Sequence, residues 1–213
     1  MLIVGLCGTA LIFAHMIDPL RIVIGISGAS GVIYGIRLLE LLQSTAVESH
    51  LVISKAAEMT IGYETDRKTS EVKKLADICY PIGDIGASIS SGSFRTEGMI
   101  IAPCSVRTMS EIASGVTSTL LTRAADVVLK ERRRLVLLLR ETPLHAGHLR
   151  TMLQVTEMGA IVMPPVPAFY ARPANLDEMI LQTLGRALDL FGVDAGVVQR
   201  WGEKKEKKRS ASE

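Results

Sequence analysis

The chain is predicted to fold as an α/β three-layer sandwich built on a mostly parallel sheet. Three observations point there. Apolar residues make up 48% of the 213 residues but aromatic ones only 4%, so the core is aliphatic, as in sheets covered by helices on both faces. Short β-branched runs alternate with longer segments of helical period. The apolar runs stop on glycine, hydroxyl or proline residues, the punctuation expected at strand ends. The length suits one well-buried domain.

Each element follows in order. Arg21–Ile26 is the first strand, and it runs into a turn whose glycines fall as Gly25-x-x-Gly28-x-x-Gly31. A helix over Val32–Gln43 comes next, with Ile33, Ile36, Leu38, Leu39 and Leu42 as its apolar stripe. A helix N-terminus carries backbone N–H groups without intrahelical acceptors and the positive end of the dipole, so the turn suits an anion. The glycine spacing differs from the dinucleotide pattern G-x-G-x-x-G, which leaves a phosphate cradle and a plain tight turn both open. Ser49–Ser54 is the second strand, with a helix after Lys55.

Residues 66–96 are polar and turn-rich, with Ser88–Ser93 as an exposed loop. Gly98–Ala102 is the third strand, closed by Pro103-Cys-Ser105, and helical pattern resumes from Arg107. A long amphipathic helix is expected over Leu120–Arg133 and a fourth strand over Leu135–Leu139, ending in Arg140-Glu-Thr-Pro143. Leu149–Met158 reads as helix, Ala160–Met163 as a fifth strand stopped by Pro164-Pro165, and Leu176–Phe191 as the last helix. Strands alternating with helices imply right-handed βαβ units, hence a Rossmann-like or flavodoxin-like architecture.

The ends of the chain read differently from its middle. Residues 1–20 are an N-terminal extension, in which Met1–His15 is an upstream start or a poorly ordered segment preceding Met16. Its apolar stretch lacks a basic n-region and is too short to span a bilayer. Residues 21–202 form the domain, and residues 203–213, with Lys204-Lys-Glu-Lys-Lys-Arg209, form a charged, solvated tail. A net charge of +2, concentrated in that tail, does not argue for nucleic acid. Cys7, Cys79 and Cys104 make no metal or redox spacing, which fits a reducing cytoplasm.

Ligands of parallel sheets bind beyond the carboxyl ends of the strands, so the residues after each strand outline the site. They are Gly28-Ala29-Ser30, Ser54, Ser105-Val106-Arg107-Thr108, Arg140-Glu141 and the segment Pro164–Tyr170. Hydroxyls, backbone donors and arginines suit a phosphorylated ligand. Strand two ends in Ser54-Lys55 rather than the acidic residue a dinucleotide ribose needs, and no G-x-x-x-x-G-K-[ST] segment occurs. A mononucleotide such as FMN fits better.

The chain resembles the UbiX-type flavin prenyltransferases. The matching residues are Gly25-Ile-Ser-Gly-Ala-Ser-Gly31 with Tyr34-Gly35, Ile53-Ser-Lys-Ala-Ala57, Glu64-Thr-Asp66 and Ser90-Ser-Gly-Ser93. They continue through Pro103-Cys-Ser105, Arg123-Ala-Ala-Asp-Val-Val-Leu-Lys-Glu-Arg-Arg133, Arg140-Glu-Thr-Pro-Leu144 and Pro164-Pro-Val-Pro-Ala-Phe-Tyr170. The similarity runs from Arg21 to Trp201.

The resemblance implies that the dimethylallyl group of dimethylallyl phosphate is joined to reduced FMN at N5 and C6, without a metal. The product would serve a UbiD-type decarboxylase, for example in ubiquinone biosynthesis. It implies that Gly28, Ala29, Ser30, Ser54, Ser105, Val106, Arg107, Thr108 and Arg140 hold FMN. Tyr170, Arg186, Arg123, Lys130 and Trp201 are implied at dimethylallyl phosphate, and Ser30, Glu64 and Glu141 in proton transfer. A homo-oligomer, often a dodecamer with sites at subunit contacts, and a cytoplasmic location without membrane attachment are implied too.

Blander readings stand beside these. Arg123, Lys130, Arg132 and Arg133 would ordinarily be a solvated helix face, although Arg123 and Lys130, two turns apart, share one side. His145 and His148 read as a helix start rather than a metal pair, no third ligand being evident. Other functions remain: a flavin-dependent decarboxylase of cysteinyl thiols or aromatic acids, or a non-catalytic FMN carrier. The cysteinyl-thiol decarboxylase, which relies on a catalytic His and an Asn-containing substrate motif, is disfavoured because Asn175 is the one asparagine and stands at a helix start, and no His occupies the expected region.

Overall fold

The computed structural model describes residues 19–202, so the readings for most of the N-terminal extension, the tail and Cys7 lie outside the described residues. Six strands form one sheet: β1 (Leu20–Ile26), β2 (Val47–Ile53), β3 (Ile78–Tyr80), β4 (Gly98–Cys104), β5 (Arg134–Leu139) and β6 (Ala160–Val162). Their order is β3-β2-β1-β4-β5-β6, and every pairing is parallel. The expected mostly parallel sheet is thus wholly parallel, in the Rossmann order, with the topological switch between β1 and β4.

Among the described residues, seven helices cover the two faces. α1 (Ile33–Leu42), α2 (Lys55–Glu64), α3 (Thr69–Lys73) and α7 (Leu176–Asp189) close a core containing Ile22, Ile24, Ile26, Ile61, Val72 and Leu184. α4 (Val106–Ala113), α5 (Leu120–Lys130) and α6 (Ala146–Glu157) close a second core containing Val23, Val52, Met109, Leu121 and Val155. Alternate residues of β1 therefore enter opposite cores, which is why the strand is apolar throughout rather than every second residue. Burying each such aliphatic side chain contributes about 1.5–3 kcal/mol.

Five readings need correction. The 66–96 segment, expected to be turn-rich, holds both the five-residue α3 and the edge strand β3, each too short to carry a measurable period. The Ser88–Ser93 loop begins with a 3-10 turn over Ser88–Ser90, and Ile89 is buried within it. α5 stops at Lys130 rather than Arg133, since Arg132 takes a left-handed backbone (φ 58°). Arg133 is not part of a solvated face: its guanidinium donates to the Gly92 carbonyl at 2.7 Å and the Phe94 carbonyl at 2.8 Å. Finally, α6 begins at Ala146, where His145 is the cap and its Nδ1 accepts the Gly147 amide at 3.0 Å. His145 thus stands at a capped helix start.

Candidate active site

The switch point opens into a cavity of about 650 Å³ at the carboxyl edge of the sheet. Two helix N-termini face it. At α2, Ser54 caps the helix by accepting the Ala57 amide at 3.1 Å, and Lys55 and Ala56 line the cavity with first-turn amides that have no intrahelical acceptor. At α4, Ser105 does the same for Thr108 at 3.2 Å, which leaves the Val106 and Arg107 amides at the opening.

The turns of β1 and β4 are locked together by Ser27, which is completely buried. Its hydroxyl donates to the Pro103 carbonyl at 2.9 Å and accepts the Ser105 amide at 2.7 Å. Gly28 is required by space: a Cβ there would lie 2.3 Å from the Ala56 Cβ, so only glycine lets the β1 turn rest on α2. Cys104, at the end of β4, is buried, and burial pushes its thiol up to about 12, which makes it inert.

All nine residues expected at the flavin line this one cavity: Gly28, Ala29, Ser30, Ser54, Ser105, Val106, Arg107, Thr108 and Arg140. Glu141 lines it as well. Arg107 donates to Glu111 at 2.9 Å, so part of its charge is matched before any ligand enters. Glu64 does not line the cavity. Its Oε2 accepts the Gly31 amide at 2.7 Å and the Val32 amide at 3.2 Å, occupying the N-terminus of α1. The anion expected at that helix is therefore supplied by the chain itself, and the open donors are those of α2 and α4.

Five further expected residues lie away from the cavity within one chain. Arg123 pairs with Asp126 at 2.8 Å, and Lys130 pairs with Glu131. Arg186 donates to Asp189 at 2.7 Å, a carboxylate also held by Arg200 at 2.8 and 2.9 Å. Hydrogen bonding from Arg200, offset in part by burial and helped by Arg186, keeps Asp189 below the ordinary carboxylate value. Tyr170 Oη accepts from Gln182 at 3.3 Å, and its ring meets Trp201 edge-on at 5.7 Å. Trp201 is 83% exposed, so it is not core packing.

Sequence reasoning did not single out the opposite wall, where Ile82, Gly83, Ser118, Thr119, Leu121 and Thr122 face the cavity. The only hint was the break before Leu120. No group of three or more His, Cys, Asp or Glu side chains that suits a metal occurs among the described residues. A cofactor-sized cavity with two open helix ends, a wall of aliphatic and hydroxyl side chains, and arginines has the make-up of a site for a phosphorylated ligand.

The comparisons with known proteins agree with this geometry. The chain matches the flavoprotein family over residues 12–183. It is 56% identical over 193 residues to the flavin prenyltransferase UbiX of Thauera aromatica, covering 91% of this chain and 100% of that protein. A UbiX crystal structure in complex with FMN and dimethylallyl pyrophosphate superposes with a TM-score of 0.85 at 52% identity, covering 87% of this chain and 99% of that one. A dodecameric protein from Escherichia coli O157:H7, described as an FMN-dependent UbiX-like decarboxylase, gives 0.84 at 44% identity, covering 86% and 100%. By its strand order, its cavity and similarity over nearly its whole length, the chain belongs to the flavoprotein family and, within it, to the UbiX-type flavin prenyltransferases.

Proposed function

We propose that this chain joins the dimethylallyl group of dimethylallyl phosphate to reduced FMN at N5 and C6. Inorganic phosphate leaves as the C–O bond breaks and the N5–C bond forms with loss of the N5 proton. Closing the ring at C6 consumes the alkene, which gains a proton at its other carbon as C6 loses one. The prenylated flavin passes to a UbiD-type decarboxylase. The observation that carries the reading is the convergence of Gly28–Ser30, Ser54, Ser105–Thr108, Arg140 and Glu141 on one cavity. Reduced FMN supplies the nucleophilic N5 and C6; the chain supplies binding, charge and protons.

The open amides of α2 and α4, with Lys55, Arg107 and Arg140, offset the charge of a phosphorylated flavin. Departure of a monophosphate needs cations placed where charge develops, because it is a poor leaving group. Glu141 and Ser30 face the cavity and are the candidates for moving protons. Glu64, bound to two amides, acts by holding the β1 turn and α1 in place beside Ser30.

Tyr170, Arg186, Trp201, Arg123 and Lys130 complete the prenyl-phosphate site in this proposal from contacts between chains of a homo-oligomer. Their exposure in one chain supports this, as does the dodecamer formed by a relative. We place the protein in the cytoplasm. Among the described residues, no helix is long and apolar enough to cross a membrane.

The test is anaerobic incubation with reduced FMN and dimethylallyl phosphate, followed by mass analysis of the extracted flavin. A gain of one five-carbon unit is expected, with or without EDTA. An unchanged flavin mass refutes the transferase reading. Glu141→Gln separates catalysis from carriage: a prenyltransferase loses turnover but keeps FMN, whereas a carrier is unaffected.

A further inference from the structure

Beneath the sheet face that carries α5 runs a chain of polar contacts from the core to the surface. His50 on β2 is fully buried, and both ring nitrogens are engaged: Nε2 lies 2.8 Å from Glu48 Oε1, and Nδ1 lies 3.0 Å from Tyr80 Oη. The Tyr80 hydroxyl is also 2.8 Å from Ser88 Oγ. The imidazole stacks near Tyr80 (ring centroids 5.9 Å apart) and meets Phe94 edge-on at 5.3 Å.

The donors can be assigned. Partial burial pushes the Glu48 carboxyl up, but hydrogen bonds from Arg21 and His50 outweigh it and hold the carboxyl below its ordinary value. Glu48 is therefore an acceptor, and Nε2 carries the proton. Nδ1 of the neutral ring then accepts from Tyr80, and Tyr80 accepts from Ser88. Every group is satisfied in this one direction, the condition under which a buried polar network specifies a single arrangement.

The network ends where the cavity begins. Tyr80 is the last residue of β3, a three-residue edge strand with little stability of its own. Two residues later Ile82 and Gly83 line the cavity, and the Ile82 carbonyl accepts the Leu120 amide at 2.9 Å. That bond ties the turn to the start of α5, whose Thr119, Leu121 and Thr122 form the rest of the same wall.

We infer that Tyr80 is a positioning residue for the bound flavin: through His50 and Ser88 it sets the wall formed by Ile82, Gly83 and the first turn of α5. The inference rests on the reading that this cavity holds FMN. It adds to that reading a group that never touches the ligand.

The experiment uses the full chain. Tyr80→Phe keeps the ring stack and removes the hydroxyl; Ser88→Ala removes the outer end of the relay. Val72→Ala, buried in the other core, is the control for lost stability alone. Each is measured for FMN dissociation constant, absorption spectrum of bound flavin, and melting temperature without flavin. Tyr80→Phe is expected to raise the FMN dissociation constant about threefold to tenfold, the effect of one hydrogen bond, and to alter the bound-flavin spectrum. Ser88→Ala changes both in the same direction by less, while Val72→Ala lowers only the melting temperature. Wild-type affinity and spectrum in Tyr80→Phe overturn the inference, however far the melting temperature falls. If that variant yields no folded protein, Ser88→Ala decides by the same criterion. Failure of the wild-type protein to bind FMN is a different result, and it removes the flavin reading before any variant is compared.

Discussion

Replacing Gly28 by alanine tests the architecture of the cavity at its tightest point. The added methyl would lie 2.3 Å from the Ala56 Cβ and 3.2–3.3 Å from the backbone of the same residue. Ordinary contact begins near 3.4 Å, so the β1 turn and the N-terminus of α2 must separate by about 1 Å. Neither can yield through a rotamer, because the obstacle is a short side chain on a helix backbone. Overpacking of this kind costs about 1–3 kcal/mol, a fall in melting temperature of roughly 2–12 °C for a domain of this size.

The functional effect should exceed the stability effect. The moved elements carry Ala29, Ser30, Ser54 and Lys55, all at the cavity, and a displacement of about 1 Å costs on the order of a hundredfold in a positioned reaction. Gly28→Ala should therefore weaken FMN binding at least about tenfold and reduce prenyl transfer on the order of a hundredfold. Fluorescence titration with FMN and anaerobic turnover measure the two. Gly62→Ala is the contrast, since a Cβ on that exposed position of α2 meets nothing within 4 Å. It should stabilise the protein by about 0.5–1 kcal/mol. Wild-type FMN affinity in Gly28→Ala would refute the argument that the turn and α2 form one cradle.

Other expectations follow from the same geometry. Arg186→Ala should raise the KM for dimethylallyl phosphate roughly tenfold to a hundredfold, the loss of one charge-assisted contact, with little change in FMN affinity; Arg186→Lys should be mild. Equal losses for both ligands in steady-state and binding assays would make Arg186 a structural partner of Asp189 instead. Burial lowers the His50 value below that of the unfolded chain, against the pull of Glu48, so the unfolded state takes up the proton first as pH falls. Stability should be flat above about pH 6.5 and decline as pH drops from there through the depressed folded value. Denaturant melts of His50→Gln should lack that part of the acid slope, and an unchanged slope would rule His50 out as its source. Cys104, at about 12, should resist thiol reagents at pH 8 in the folded protein and react after denaturation; labelling followed by peptide mass analysis reads this directly.

The sequence by itself determined five of the six strands, six of the seven helices among the described residues, and the ends of those five strands. Aliphatic runs buried on both faces announce parallel strands, and Gly28–Ser30, Ser54, Pro103–Ser105 and Arg140–Glu141 mark their ends by local chemistry alone. Because all strands run one way, residues read from separate strand ends had to meet at one edge; those after β1, β2, β4 and β5 share the cavity, while the Pro164–Tyr170 segment after β6 does not line it. Tertiary structure decided what depends on partners distant in sequence. Glu64 reaches the amides of α1 from 33 residues away, and Ser27 bridges to a carbonyl 76 residues on. His50 gains its role only once β3, too short to show a period, pairs beside β2. Arg133 looks like another surface cation until the carbonyls of Gly92 and Phe94 fold against it. Backbone preference and hydrophobic period are local properties of a chain. The acceptor a buried donor finds is set by which segments pack together, and that belongs to the fold.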